Sequence, residues 1–324
     1  MPRKGRAIVR WTGRGDLGQL ESSIRYILRE RGAAPRTWTS GGSIVVEDME
    51  PLGVAAKLQH TPGVNWIAAG LASRSFIELL ENSATLARTY LKRGDRFSLD
   101  AEGSDGMAKP DVAGGVISRI LETSKGTRVS QENPKIRFRT AFDGSRGVVG
   151  VEIARGPGGV PTGVYSVACL VSGGRHSSVV SWMALLAGYR VRLVHAQVDD
   201  ESLLGAARLY AELSHRTDPR SLMLQVVESQ SPDSALVGIV RGMNEPVFGG
   251  FQASGARIPK PLKGLVIAPL FLMSEEMFDE EFDSLALKSC DAKMSWDSGK
   301  NEDANIRSFG GVTADVSEVV DGLA

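Results

Sequence analysis

The stretch from Val164 to Leu186, VYSVACLVSGGRHSSVVSWMALL, constrains this chain more than any other. Ser166 to Val171 is an almost uninterrupted apolar run, as expected of a parallel strand covered on both faces. Ser172-Gly173-Gly174 lets the backbone turn sharply and approach a ligand closely. An amphipathic helix is predicted next, capped by Ser177 or Ser178, with Val179, Val180, Met183 and Leu186 inward and its end marked by Gly188. Free N–H groups at such a helix start make a pocket for phosphate. The candidate phosphate-binding residues are therefore Ser172, Gly173, Gly174, Arg175, His176, Ser177 and Ser178. A Ser-Gly-Gly turn standing alone is more often structural than functional.

Downstream of this stretch the chain has the rhythm of one α/β domain. Arg190 to Gln197 reads as a strand, Glu201 to His215 as a helix and Leu222 to Val227 as a third strand. This βαβαβ order implies a parallel, Rossmann-like sheet. Ala235 to Met243 reads as a helix, Leu265 to Ala268 as a further strand and Ser274 to Leu287 as an acidic helix bearing Phe and Met. From Lys288 onward hydrophobicity is low and charge mixed, which predicts a flexible tail over 288–324. No GxGxxG follows a strand, so a dinucleotide-binding enzyme is disfavoured.

Upstream, Ala7–Trp11 reads as a strand and Leu17–Arg31 as a helix with Leu20, Ile24, Ile27 and Leu28 on one face, ended by Gly32. A hairpin turns around Gly41-Gly42, then a short helix spans Glu50–Leu58 and a strand Val64–Ala69. Strand, helix, two strands, helix, strand is the order of a ferredoxin-like sandwich, which sets a first domain at 1–71. A second block occupies 72–160. It contains a helix from Ser75 to Tyr90, a strand at Arg96–Asp100 and a helix at Asp111–Ser124 led by Pro110. Strands at Lys135–Phe142 and Val148–Ile153 close it. Val112, Val116, Ile117, Ile120 and Leu121 are expected to face inward.

The net charge of zero hides an asymmetry. Residues 1–165 hold 24 Lys and Arg against 17 Asp and Glu, and the remainder 14 against 21. That split points to a polyanionic partner for the first half. Lys135, Arg137 and Arg139 alternate along one strand and so share a face. Lys92, Arg93, Arg96, Lys125 and Arg128 lie at the ends of neighbouring elements. Together these eight are the candidate residues for binding that polyanion, able to contact phosphates without reading sequence. No apolar run approaches a membrane span, and the start MPRKGRAIVRW lacks a secretion signal's apolar segment, so a cytoplasmic protein is expected. Two cysteines, Cys169 and Cys290, are too few for a disulfide framework or a zinc site.

The run NPKIRFRTAFDGSRGVVGVEI, preceded by helix, strand and helix, resembles the THUMP domain of tRNA-modifying enzymes. Arg155 to Gly163, RGPGGVPTG, resembles the linker joining THUMP to a PP-loop domain in tRNA 4-thiouridine synthases, where an apolar strand and SGGxDS come next. The resemblance runs from residue 1 to about 197. It implies an N-terminal ferredoxin-like domain (1–71), an α+β THUMP domain (72–160) and a PP-loop domain of Rossmann-like type (161–287). It also implies tRNA as partner, gripped near its acceptor end, ATP as cofactor with Mg²⁺ if catalysis occurs, and a sulfur-donor protein as a further partner. His195 falls where the family's nucleotide-binding strand stops and joins the candidate nucleotide-binding residues, although an ordinary strand-end role is favoured for it. Val247 to Gln252 could line the same pocket, although spacing has drifted too far to carry over roles residue by residue.

The loop departs from the family pattern at His176, where PP-loop ATPases carry an acidic residue. A histidine replaces a hard oxygen ligand of Mg²⁺ poorly. Arg175 and His176 can still attract phosphate. Ser229 to Ala253 contains no cysteine where sulfur-transferring members carry one, and no rhodanese domain is read in the chain, a domain that archaeal relatives can lack. The expectation is a tRNA-binding protein with a degenerate PP-loop. The alternative is an ATP-dependent tRNA uridine thiolase that adenylates the uridine oxygen before sulfur transfer.

Overall fold

The computed structural model describes residues 5–30, 35–102, 108–197, 200–228, 232–251, 262–270, 273–284 and 305–310. The chain divides into two units, one ending at Pro161 and the other starting at Thr162. Gly63 N–H donates to the Gly158 carbonyl in the first, and Gly163 N–H to the Gly188 carbonyl in the second.

The first unit is built on one eight-stranded sheet. In chain order its elements are β1 (Arg6–Trp11), α1 (Leu17–Glu30), β2 (Arg36–Ser40), β3 (Ser43–Glu47), α2 (Pro51–Leu58), β4 (Val64–Ser73), α3 (Phe76–Tyr90), β5 (Arg96–Glu102), α4 (Lys109–Thr123), β6 (Arg128–Val129), β7 (Ile136–Phe142) and β8 (Gly147–Arg155). The strand order is β2-β3-β1-β4-β8-β7-β5-β6. Neighbours among the first four strands are antiparallel, as a ferredoxin-like βαββαβ unit requires. The expected division at 71/72 is not a break in the sheet. β4 runs on to Ser73 and pairs with β8 from Trp66 to Ser73, so the two halves share one ladder.

Two separate cores lie under this sheet. One gathers Leu20, Ile24, Ile27 and Leu28 of α1 against Ala7, Val9, Ile44 and Val46. The other packs Leu79 and Ala87 of α3 and Val112, Val116 and Ile120 of α4 against Phe97, Phe138 and Val149. Both helix faces are those expected, except that Leu121 is exposed. Helix starts are capped by side chains: the Glu50 carboxylate accepts from Gly53 N–H, and Ser75 Oγ from Glu78 N–H. Gly70 and Gly150 pair across β4 and β8, and a side chain at either would strike the Ile8 δ-methyl and the facing backbone. This close approach lets Ile8, Val45, Trp66, Ala68, Ala141 and Val148 form a third small core.

The second unit contains β9 (Ser166–Leu170), α5 (Arg175–Leu186), β10 (Arg190–Gln197), α6 (Asp200–Arg216), β11 (Leu222–Glu228), α7 (Pro232–Gly242), β12 (Val247–Gly249), α8 (Glu275–Ser284) and β13 (Asn305–Gly310). Strand order is β12-β9-β10-β11-β13, with the first four parallel and β13 antiparallel to β11. The sheet is wound one way from β9 to β11 and the other way to β12, which leaves a topological switch point at the end of β9.

Three expectations change on this fold. The tail over 288–324 is not uniformly without structure, because Asn305–Gly310 completes the sheet edge; the rest of it, and Cys290, lie outside the described residues. Leu265–Ala268 forms only one bridge, Ile267 to Phe248, instead of a strand. α5 is not amphipathic in the usual sense: residues 177–182 are all buried, because both the sheet and α8 pack against it. Gly32, part of the 103–109 loop and Gln252 lie outside the described residues. Among the described residues no helix is long and apolar enough to cross a membrane.

Candidate nucleotide loop and nucleic-acid interface

Val171 to Gly174 links β9 to α5 at the switch point. Gly173 holds φ +78°, and a Cβ there would stand 3.0 Å from the Ser202 carbonyl oxygen and 3.1 Å from Gly205 Cα. Both the left-handed backbone and the close approach of α6 therefore require glycine. The cap of α5 is Gly174, not Ser177 or Ser178 as expected, and no side chain caps it. Ser177 and Ser178 sit inside the first turn, where both hydroxyls donate back to the Gly174 carbonyl at 2.9 and 3.1 Å. Ser172 Oγ accepts from Gly174 N–H at 3.4 Å. The helix start thus presents backbone N–H groups and its positive dipole end, which suit a phosphate.

Arg175 and His176 are both engaged by α8. Arg175 Nη2 pairs with Asp279 of α8 at 2.5 Å, and its guanidinium lies 4.6 and 5.3 Å from the ring centres of Phe282 and Phe278. The His176 ring stacks on Phe278 at 4.6 Å and 23°. The sequence offers no sign of this, since Asp279 lies 104 residues downstream of Arg175. Just past β12, the Gly250 backbone closes against His176 and Ser177 at the start of α5.

His195 is fully buried near the end of β10, with Nδ1 2.8 Å from the Val171 carbonyl and Nε2 3.5 Å from Ser202 Oγ. It therefore supports the loop from behind instead of lining a ligand surface. Cys169, one strand position before Leu170, is fully buried; desolvation pushes its thiol up to about 12, against a hydrogen bond with Ser181 and aided by Glu245. That thiol is not a nucleophile near neutral pH. The loop contains no carboxylate, and among the described residues no group of three His, Cys, Asp or Glu side chains could hold a metal. The loop offers backbone N–H groups of the kind that suit a phosphate, and it holds no carboxylate of the kind that suits Mg²⁺.

In the first unit, the fold gathers most of the expected cations at one end of β5, β6 and β7. Gly94 N–H donates to Gly126 O, Arg128 N–H to Asp95 O and Lys135 N–H to Arg96 O, which zips three loops together. Arg96 lies opposite Arg128, and Ser98 opposite Arg137. Lys92, Arg93, Arg96, Lys125 and Arg128 are exposed there and Arg137 is half-buried. Among the described residues none of these six has a carboxylate within ion-pair distance. Lys135 is already paired, holding both Asp95 oxygens at 2.9 Å; that bond, then the Lys92 N–H, keeps the Asp95 carboxyl below its usual range.

Arg139 is not part of that surface. It is 13% exposed, pairs with Asp100 at 2.6 Å and with Glu152, and lies 4.9 Å over the Trp66 ring. A cleft of about 1080 Å³, lined by Arg6, Trp38, Arg74 and Arg146, carries no signal in the sequence, because its residues come from segments far apart in the chain. Glu47, Asp48 and Glu78 share its walls and balance the arginines, so it does not favour a polyanion.

No protein-family profile matches the chain. In sequence it is similar to a tRNA sulfurtransferase of Desulfurococcus amylolyticus, 32% identical over 124 residues. That match covers 36% of this chain and 25% of the relative. A probable tRNA sulfurtransferase of Saccharolobus islandicus is 26% identical over 175 residues, 52% of this chain and 45% of the relative. The chain thus spans from a quarter to under half the length of these relatives. Two solved structures are similar, each covering 87% of this chain with a TM-score of 0.65. One is a Pyrococcus horikoshii protein, 18% identical and covered completely. The other is a 4-thiouridine synthetase in an RNA complex with bound ATP, 17% identical and 85% covered. The chain shares the fold of that synthetase, and its sequence similarity runs to proteins named tRNA sulfurtransferases.

Proposed function

We propose that this protein binds tRNA through its first unit, with the 72–160 half acting as a THUMP domain, and that its second unit is a PP-loop domain with an impaired catalytic loop. The observation that carries the reading is the convergence of Lys92, Arg93, Arg96, Lys125, Arg128 and Arg137 at one end of the sheet, none of them in a side-chain ion pair among the described residues. Such a surface binds phosphates and releases counterions. The RNA and ATP of the similar synthetase structure support tRNA as the partner and ATP as the nucleotide. Similarity to tRNA sulfurtransferases supports a place in tRNA modification, with a sulfur-donor or other modifying protein as a further partner and a cytoplasmic setting.

The impairment rests on the loop. His176 stands where a PP-loop carboxylate is expected and stacks on Phe278, while Arg175 is paired to Asp279. The α5 cradle can hold phosphate through backbone groups without organising Mg²⁺. A second reading, ATP-dependent tRNA thiolation, draws on the intact Gly173 turn and the relatives' names. Incubating the protein with tRNA and labelled ATP separates the two. Tight tRNA binding without AMP or pyrophosphate release is expected. Release that depends on tRNA would establish the second reading, with His176→Asp as the comparison variant.

A further inference from the structure

Helix α8 reads EEMFDEEFDS, with six acidic residues, no basic one, and Phe278 and Phe282 one turn apart. Both rings are buried in the core of the second unit and stack on each other. The acidic side chains that the structure describes, Glu276, Asp279, Glu280 and Asp283, are exposed. The helix therefore uses an apolar face to dock on α5 while carrying its charge beside it. The residues it docks on include Arg175 and His176, the first two of α5, at the end where an anion is favoured.

We propose that α8 is an intramolecular competitor for anions at the start of α5, with Asp279 occupying the cation that a phosphate would otherwise recruit. The inference rests on the reading of the Ser172–Gly174 loop as a phosphate cradle. A phosphate bound there gains the guanidinium only if Arg175 leaves Asp279 and the faces of Phe278 and Phe282. Glu276, Glu280 and Asp283, exposed on the same helix, add a repulsion of polyphosphate that physiological salt screens over ~8–10 Å. Anion binding and α8 docking are then linked, and each weakens the other by the same factor. Arg175 is suited to the exchange: a planar guanidinium serves both carboxylate and phosphate, and stacks on aromatic faces in between.

The test uses the full chain, with inorganic pyrophosphate as the probe in isothermal titration calorimetry. Asp279→Asn keeps the side-chain size and removes the charge. It is expected to bind pyrophosphate about three- to ten-fold more tightly than the wild type, since one carboxylate in contact with the bound cation is removed. Arg175→Met keeps a chain on the phenylalanine rings and should cancel the gain from Asp279→Asn in the double variant. Hydrogen exchange across 275–284 supplies an independent readout, and pyrophosphate should speed it in the wild type. Equal affinity of wild type and Asp279→Asn, with unchanged exchange in α8, would overturn this inference while leaving the phosphate cradle standing. If neither variant binds pyrophosphate at millimolar concentration, the cradle itself is refuted, and the competition with it.

Discussion

Arg139 on β7 and Glu152 on β8 form a two-toothed ion pair, Nε and Nη2 both donating to the same carboxylate oxygen, with side chains only 13% and 8% exposed. This pair sets Arg139 apart from Arg137 on the same strand, which is half-buried and has no ion pair among the described residues. Burial by itself would raise the Glu152 carboxyl, but the hydrogen bonds from Arg139 and then Arg155 outweigh it and hold the group below its usual range.

Because the folded carboxyl titrates below its unfolded value of about 4.3, Glu152 contributes stability fully above that value. The contribution is lost as pH falls through the lower folded value. Urea unfolding of Glu152→Gln from pH 7 to pH 3 should therefore show a shallower loss of stability than the wild type. Parallel curves would remove Glu152 as a source of acid sensitivity.

Arg139→Gln should cost about 2–4 kcal/mol in urea unfolding, because it leaves a nearly buried carboxylate without its main partner. Arg137→Gln, at a half-buried side chain with no ion pair among the described residues, should cost less than about 1 kcal/mol and lower tRNA affinity instead. If the two variants lost equal stability, the contrast between Arg139 and Arg137 would be wrong.

Changing Lys92, Arg93, Lys125 and Arg128 together to Gln should weaken tRNA binding at about 0.1 M salt while thermal unfolding stays the same. The slope of log affinity against log salt should fall by about 0.7–0.9 for each phosphate that the protein no longer neutralises. An unaltered slope would place the RNA elsewhere.

Gly173→Ala should destabilise the second unit by about 1–3 kcal/mol, since φ +78° is strained for alanine and the methyl meets α6 backbone. His195→Ala should cost a similar amount, removing the buried ring that bonds the Val171 carbonyl at 2.8 Å. Chemical denaturation of both variants checks this; a silent His195→Ala would mean that the ring does not brace the loop.

With its thiol raised to about 12, Cys169 should resist alkylation by iodoacetamide at mildly alkaline pH in the folded protein and react once denaturant is added. A Cys290→Ser background isolates the signal, read by mass spectrometry. Rapid labelling of the native chain would show that the β9 strand opens readily.

Much of this architecture is legible in local pattern. The α1 face of Leu20, Ile24, Ile27 and Leu28 is buried as its spacing requires, and Arg190–Gln197 is a strand over its full expected length. The parallel order of β9, β10 and β11 follows from alternation of strand and helix. Other strands have too little pattern of their own to be read: β6 has two residues, β12 three, and β13 sits in a polar segment. These strands exist because a sheet edge offers them hydrogen bonds, a condition no short window of residues contains.

The strand–turn–helix at Val164–Leu186 is written in the residues themselves, because apolar run, paired glycines and helical spacing are local properties of the backbone. The cations of the first unit are likewise written there as a set of names. Their roles come from the folded chain alone. Charge and stacking act through space, so Arg175 is taken by Asp279 and Phe282 from a distant helix, and Arg139 by Glu152 from the next strand. At Arg96 and Arg128 the same sheet turns the side chains outward to face solvent.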